Sequence, residues 1–390
     1  MRRRALLAGA VAFAAGAPRA QAPAPWSEAL QHEARQILAG AAADGLDPAD
    51  YRDGTVEASF GRYLRDLHLG RVRPRDLGFG VGTPLPDETF VAQALHEAIA
   101  AGRLAPAVER LTPAPTQYRR LREMLARYRA GDVVVADDKI APARRLRQIE
   151  LSMERLRWLP PLAGRPLVAI NIPMFRLWAW DAGADADRAA PALAMDVIVG
   201  RAMRTQTPVF SHQMTHLVFR PYWNVPRSIV RNEILPAIER DPNYLARHDM
   251  EVVSGEGEAM RVRQRPGPKN SLGLVKFIFP NEASVYLHGT PSREMFSRSR
   301  RDFSHGCVRV ADPPALAQWL LRDQPAWTRE AIDAAMNGAR TQQVNLGAPV
   351  PVLLYYLTAM VSPDDGQLRF ADDIYRHDAA LEKRLAARRR

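Results

Sequence analysis

The chain has 390 residues, 47% of them hydrophobic and 25% charged, with a formal net charge of +11. That composition excludes a disordered or fibrous chain and leaves room for about two folded domains. A lone cysteine, Cys307, excludes an internal disulfide, so its value lies in reactivity or in packing.

The chain opens with Met1-Arg2-Arg3-Arg4, continues through small and apolar residues from Ala5 to Ala17, and has no acidic residue before Glu28. This is the order of an export signal, expected over residues 1–22. The apolar run is shorter than the roughly 20 residues that cross a bilayer, so a cleaved signal is expected and no stable membrane span. An exported chain argues against a nucleic-acid partner. The positive excess suits a polyanion, and equally a solvated basic surface. Part of it leaves with Arg2, Arg3, Arg4 and Arg19, and part sits in Lys383, Arg384 and Arg388 to Arg390, within an expected basic C-terminal tail over 362–390.

Residues 23–160 read as a helical domain. Leu30, Ala34, Ile37 and Leu38 recur at helical spacing after a Ser27 cap, followed by Phe60, Leu64 and Leu67, by Phe90, Ala94 and Leu95, and by Tyr118, Leu121, Leu125 and Tyr128. Each stripe needs a partner, so the helices should pack on one another. Glu154 and Arg157 read as a structural ion pair or as surface charges. No titratable cluster here has a catalytic pattern.

After Leu159-Pro160-Pro161 the pattern changes to short β-branched or aromatic runs: Leu167 to Ile172, Phe175 to Trp180, Met195 to Val199, Leu217 to Phe219, Leu274 to Phe279, Val285 to Leu287 and Val350 to Leu357. The expected class is α+β: a helical N-terminal domain, then a mostly-β domain over 161–361. One helical insertion interrupts it, with Ile234, Leu235, Ile238 and Leu245 as its stripe. The insertion, about 227–267, contains the polar run Ser254-Gly255-Glu256-Gly257 and is expected to be a mobile lid.

Cys307 lies in Phe303-Ser304-His305-Gly306-Cys307-Val308-Arg309-Val310, downstream of Leu287-His288-Gly289-Thr290. Thiol catalysis needs a base, a nearby positive charge and donors for an oxyanion, and this segment supplies all three. The connection between His288 and Cys307 is long enough to fold back so that the two side chains meet. Asp312-Pro313-Pro314 then caps a helix through Leu316, Trp319 and Leu320, which puts Cys307 on a strand-to-helix connection. Other readings exist. A lone cysteine is often an inert core residue. His288, His305 and Cys307 could bind zinc with His212 or His216, but those two sit four apart in what reads as a strand and no carboxylate base lies between them, so no metal is expected. A papain-like protease is disfavoured because there the cysteine precedes the histidine.

These residues carry a resemblance. The chain resembles the L,D-transpeptidases with a YkuD-type catalytic domain, marked by a histidine followed after a loop by Ser/Thr-His-Gly-Cys. Glu154-Arg155-Leu156-Arg157-Trp158, Thr207-Pro208, Pro221-Tyr222-Trp223-Asn224-Val225-Pro226, Gly273 to Asn281 and His288-Gly289-Thr290-Pro291 resemble the large periplasmic branch, from about residue 26 to 360. The resemblance implies that Cys307 is the nucleophile and His288 its base, with the Gly289 carbonyl orienting the imidazole. It also implies that His305, Gly306 and the Cys307 amide border the oxyanion site. Arg309 would hold the loop or a substrate carboxylate. Ser304 is expected on the substrate side, and Tyr222 and Trp223 read as packing residues or as the mouth of the cleft. The implied reaction attacks the diaminopimelate–D-Ala bond of a peptidoglycan stem tetrapeptide and passes the acyl group to another stem. Carbapenem β-lactams would acylate the same thiol, no cofactor is needed, and the periplasm is the implied location. The branch usually carries a peptidoglycan-binding module between scaffold and catalytic domain. Here Tyr128 to Asp132 reaches Arg147 to Glu150 too soon for one. Gly289 stands where the branch more often has Asp. The alternative is a wall-bound scaffold without activity, or hydrolysis, exchange or protein anchoring through the same acyl-enzyme.

Overall fold

The computed structural model describes residues 26–80, 88–133, 139–159, 164–183, 190–203 and 205–389. The expected signal over 1–22 lies outside the described residues.

Six helices form the N-terminal region: α1 (Glu28–Ala39), α2 (Val56–Leu69), α3 (Glu88–Ala100), α4 (Ala105–Leu111), α5 (Thr116–Ala130) and α6 (Pro142–Leu156). The Ser27 side chain caps α1 by accepting from the Leu30 amide, and Thr55 caps α2 in the same way. Their apolar stripes meet in one cluster, with Phe60, Leu64, Leu67, Tyr118, Leu121 and Leu125 wholly buried. Helix α6 is the exception to simple amphipathicity, because Glu154, Arg155 and Arg157 are buried along with its apolar residues. Glu154 accepts from the Arg71 amide and Nε (3.1 Å) and from Arg157 Nη1 (2.9 Å). The two guanidiniums hold its carboxyl below the ordinary range against the cost of burial. The Glu154–Arg157 pair is therefore a core strut.

Strands β1 (Leu167–Asn171), β2 (Arg176–Trp180), β3 (Leu193–Gly200) and β4 (Phe210–Phe219) follow. An insertion then supplies β5 (Trp223–Asn224), α7 (Arg227–Ile229), α8 (Leu235–Arg240), α9 (Tyr244–Arg247), β6 (Met250–Ser254) and β7 (Arg261–Gln264). The chain returns with β8 (Val275–Ile278), β9 (Leu287–His288), β10 (Asp302–Ser304), β11 (Val308–Val310), α10 (Pro313–Leu320), α11 (Arg329–Asn337) and β12 (Gln342–Tyr355), and ends with β13 (Ala359–Val361), β14 (Leu368–Phe370) and α12 (His377–Arg388). The main sheet runs β10-β3-β11-β9-β8-β4-β12-β1-β2, and a further β2–β3 pairing closes it on itself. Strand β1 is buried at every position because its faces serve two cores. Val168 and Ile170 point into the sheet's own core, and Leu167 and Ala169 pack on the helical region.

Three expectations change. The insertion is half β: β5, β7 and β6 form their own three-stranded sheet over an apolar cluster of Val225, Ile229, Val230, Ile234 and Val262. Ser254 to Gly257 is the turn between two of its strands rather than a free loop. Cys307 sits in the turn from β10 to β11, one strand before the helix, because Val308 to Val310 pairs with both β3 and β9. The expected tail is packed structure. Leu381 and Leu385 of α12 are buried, Asp378 pairs with Arg155 at 2.6 Å, Arg388 with Asp66 at 2.6 Å, and Arg389 with Asp47 at 2.8 Å. Its basic residues are clasps on the helical region, where acidic partners 300 residues earlier attract them.

Candidate active site

Register places the catalytic candidates. Lys276 of β8 stands opposite His288 of β9, and His288 stands opposite Arg309 of β11. Side chains alternate along a strand, so Val275, Phe277, Leu287, Val308 and Val310 fill the core while Lys276, His288 and Arg309 share the other face. Tyr286 and Cys307, two residues before His288 and Arg309, join that face.

The His288 imidazole is buried, with Nδ1 2.6 Å from the Gly289 carbonyl and the Leu272 carbonyl also facing it. A carbonyl only accepts, so Nδ1 carries the hydrogen and Nε2 is the free acceptor. Gly273 makes this packing possible. Its φ is +66°, and a Cβ there would lie 2.7 Å from the Gly289 backbone. Burial, and then the charges of Arg309 and Lys276, push the His288 pKa down to about 3.

Cys307 is half-buried, with Sγ 3.8 Å from the Ser284 carbonyl and hydrogen-bonded by Tyr286. Ser284 holds φ +54° in a loop clamped by Asn281, whose amide donates to the Phe279 and Val285 carbonyls at 2.6 and 2.7 Å. Burial pushes the thiol pKa up, while Tyr286, Lys276 and Arg309 pull the other way. Burial and the neighbouring sulfur raise the Tyr286 phenol, which keeps it a protonated donor. Lys276 Nζ lies 4.6 Å from the Tyr286 ring centre, and Arg309 Nε is buried without a partner among the described residues. The resting site is thus a neutral thiol and a neutral imidazole beside two cations.

The turn carrying Cys307 is braced from within. Ser304 Oγ accepts from the Gly306 amide (3.1 Å) and donates to the Cys307 carbonyl (2.5 Å), and Thr207 Oγ1 accepts from Gly200 and donates to the Gly306 carbonyl, both at 2.8 Å. Gly306 takes φ +115°, which a side chain would resist. Several sequence expectations move accordingly. Ser304 is buried and holds the turn, so it does not face substrate. The Gly306 amide is committed to Ser304, which leaves the Cys307 amide for an oxyanion. His305 turns away, with Nε2 2.7 Å from Glu233 Oε1 of the insertion. Trp223 packs in the insertion's apolar cluster, and the half-exposed Tyr222 ring lies 4.5 Å under the Arg263 guanidinium, so neither joins the Cys307 group. His212 and His216 lie on β4, and no group of three metal-binding side chains occurs among the described residues.

Residues 165–358 match the family model of the YkuD L,D-transpeptidase catalytic domain, and residues 19–125 match that of a scaffold domain. The chain belongs to the L,D-transpeptidase family. It is 31% identical over 250 residues to a Haemophilus influenzae protein named "Putative L,D-transpeptidase", a match that covers 60% of this chain and 48% of that protein. The chain thus spans about half the length of the curated relative. It is also similar to L,D-transpeptidase 3 from Mycobacterium tuberculosis in complex with a faropenem-derived adduct, at 13% identity and TM-score 0.24, covering 48% of this chain and 59% of that one. For the catalytic domain of the E. faecium L,D-transpeptidase the values are 13% and 0.26, with 49% and 98% covered. These TM-scores are too low for either likeness to bear on the site.

Lys276, Tyr286 and Thr207 surround Cys307 and its turn without having been assigned a role from the sequence. A signal existed for two of them. Lys276 is the one charge in the run Leu274 to Phe279, and Tyr286 has the same strand parity as His288.

Proposed function

We propose that this protein is an L,D-transpeptidase that acts on peptidoglycan stem tetrapeptides through a Cys307 thioester, releasing D-Ala and forming direct diaminopimelate cross-links. The observation that carries this reading is the common sheet face of Cys307, Tyr286, His288, Lys276 and Arg309. In the proposed step the thiol gives its proton to His288 Nε2 and the sulfur attacks the diaminopimelate carbonyl. The oxyanion takes the Cys307 amide, and the proton passes from His288 to the leaving D-Ala amine. An acceptor amine then displaces sulfur, with His288 again as base. Lys276 and Arg309 favour the thiolate as it forms and suit the carboxylates of the stem. A periplasmic location, reached through residues 1–22, belongs to the same proposal. No helix among the described residues is long and apolar enough to cross a membrane.

Mass spectrometry after incubation with a carbapenem tests the nucleophile. The parent protein is expected to gain one mass equivalent and Cys307→Ala none. An adduct on Cys307→Ala sinks the assignment. Products from a purified tetrapeptide muropeptide then separate cross-linking from hydrolysis or exchange.

A further inference from the structure

A second recess lies on the helical region, in a different element set from the Cys307 face. It is a cleft of about 1180 Å³ walled by the turns around residues 42–53, by Arg62 and Asp66 of α2, and by parts of α5, α6 and α12. Six carboxylates and six guanidiniums line it, so it carries no large field of one sign. Most of these are matched: Arg388 with Asp66, Arg389 with Asp47 and Asp50, and Arg129 and Arg147 with Glu150.

Arg62 bonds the Asp53 carbonyl and the Ser59 hydroxyl instead, and the buried exception is Arg71. Its side chain is 5% exposed, its Nε is spent on Glu154 at 3.1 Å, and Nη1 comes only within 3.9 Å of Asp50. Nη2 is buried with no partner among the described residues. A guanidinium has donors only, so what would satisfy Nη2 is an acceptor oxygen, of which a carboxylate oxygen makes the strongest bond. On the rim, Asp53 receives Ser59 and Arg62 on its main-chain carbonyl, and its carboxylate has no partner among the described residues. The balanced lining disfavours a polyanion. It favours a ligand that brings one carboxylate inward and one ammonium outward.

We propose that this cleft binds the zwitterionic end of a peptide, with the carboxylate on Arg71 and the ammonium at Asp53. The choice of a diaminopimelate-bearing stem peptide as ligand rests on the proposed function. Such a site would hold wall peptide on the helical region while another stem occupies Cys307. The cleft volume exceeds that of ordinary small-ligand pockets, as a tripeptide requires.

The experiment uses the full chain and the tripeptide L-alanyl-γ-D-glutamyl-meso-diaminopimelate, with its fully amidated form as control. Hydrogen exchange should slow in residues 41–53 and 382–389 with the tripeptide and not with the amide. Calorimetric affinity should fall at least tenfold in Arg71→Gln. It should fall as much in Ala386→Trp, which fills the cleft from an exposed α12 position and leaves the Arg71–Glu154 contact intact. Carbapenem acylation of Cys307 should be unchanged in both variants. Protection confined to the Cys307 face, equal binding of the amide, or undiminished affinity in Ala386→Trp would each overturn the proposal. Acylation is read separately. Cleft binding without acylation therefore counts against the function, and acylation without cleft binding counts against the cleft.

Discussion

His288 is held neutral, and that decides how the site should respond to pH. Its pKa is depressed to about 3, so it changes charge far below the ordinary histidine range near 6.5. A depressed folded value means that its contribution to stability is present above about 6.5 and is lost as pH falls toward 3. Between pH 5 and 8 acylation should show no limb from His288. The thiol, pushed above its ordinary value, should make alkylation by iodoacetamide rise with pH through 9 and beyond. A rate that levels off above pH 7 would show a preformed thiolate and refute this. Tyr286→Phe removes a hydrogen bond to the sulfur, and Lys276→Met removes a positive charge. Hydrogen bonds to charged groups contribute about 1.5–3 kcal/mol, so Tyr286→Phe should slow alkylation at pH 8 roughly tenfold or more, and Lys276→Met should slow it in the same direction. Unchanged rates in both would leave the two residues without a role. Cys307 and His288 were legible because their chemistry is written in residue type. Lys276 and Tyr286 were marked only by a lone charge and by strand parity, because their place beside Cys307 exists only once β8, β9 and β11 are in register.

The insertion shows how one element reaches another. Pro236 has no amide hydrogen, so one rung of the helical ladder is missing at the start of α8. The chain widens instead, with the Leu235 amide bonding the Val230 carbonyl five residues back. That widened turn holds Glu233, which meets His305 two residues before Cys307. The pair is partly exposed, and such contacts are worth about 0.2–1 kcal/mol. Glu233→Ala should therefore speed hydrogen exchange in residues 227–267 by up to about fivefold, leave the β core protected, and shift the melting temperature little. Exchange as slow as in the parent would mean that the contact does not restrain the insertion. His305→Ala should produce the same loosening, where sequence reasoning assigned it to the oxyanion. The strands of this insertion were hard to read because Val252 and Val253 are adjacent and exposed on its edge, which breaks the alternation that marks a half-buried strand.

At the scale of the molecule, helical and β regions are joined by buried charge. Arg155 lies on the Tyr356 ring, pairs with Asp378, and Asp378 also accepts from Thr358 at 2.7 Å. Breaking a buried pair leaves an uncompensated charge at a cost of about 3–5 kcal/mol. Asp378→Ala should lower the melting temperature by several degrees, and truncation after Gln367 should yield little folded protein. A truncated chain that melts like the parent would mean that α12 is dispensable. Helical and β regions were separable in the sequence by hydrophobic period alone. The docking of α12 was not, because an arginine-rich end reads as a solvated tail until its acidic partners are brought to it by folding.

Asp47, Asp50 and Asp66 meet Arg388 and Arg389 across more than 300 residues of intervening chain. The helical region is therefore clasped by residues that lie beyond the whole β domain in sequence. Its carboxylates are matched only where both regions have folded together, so the two should melt as one cooperative unit.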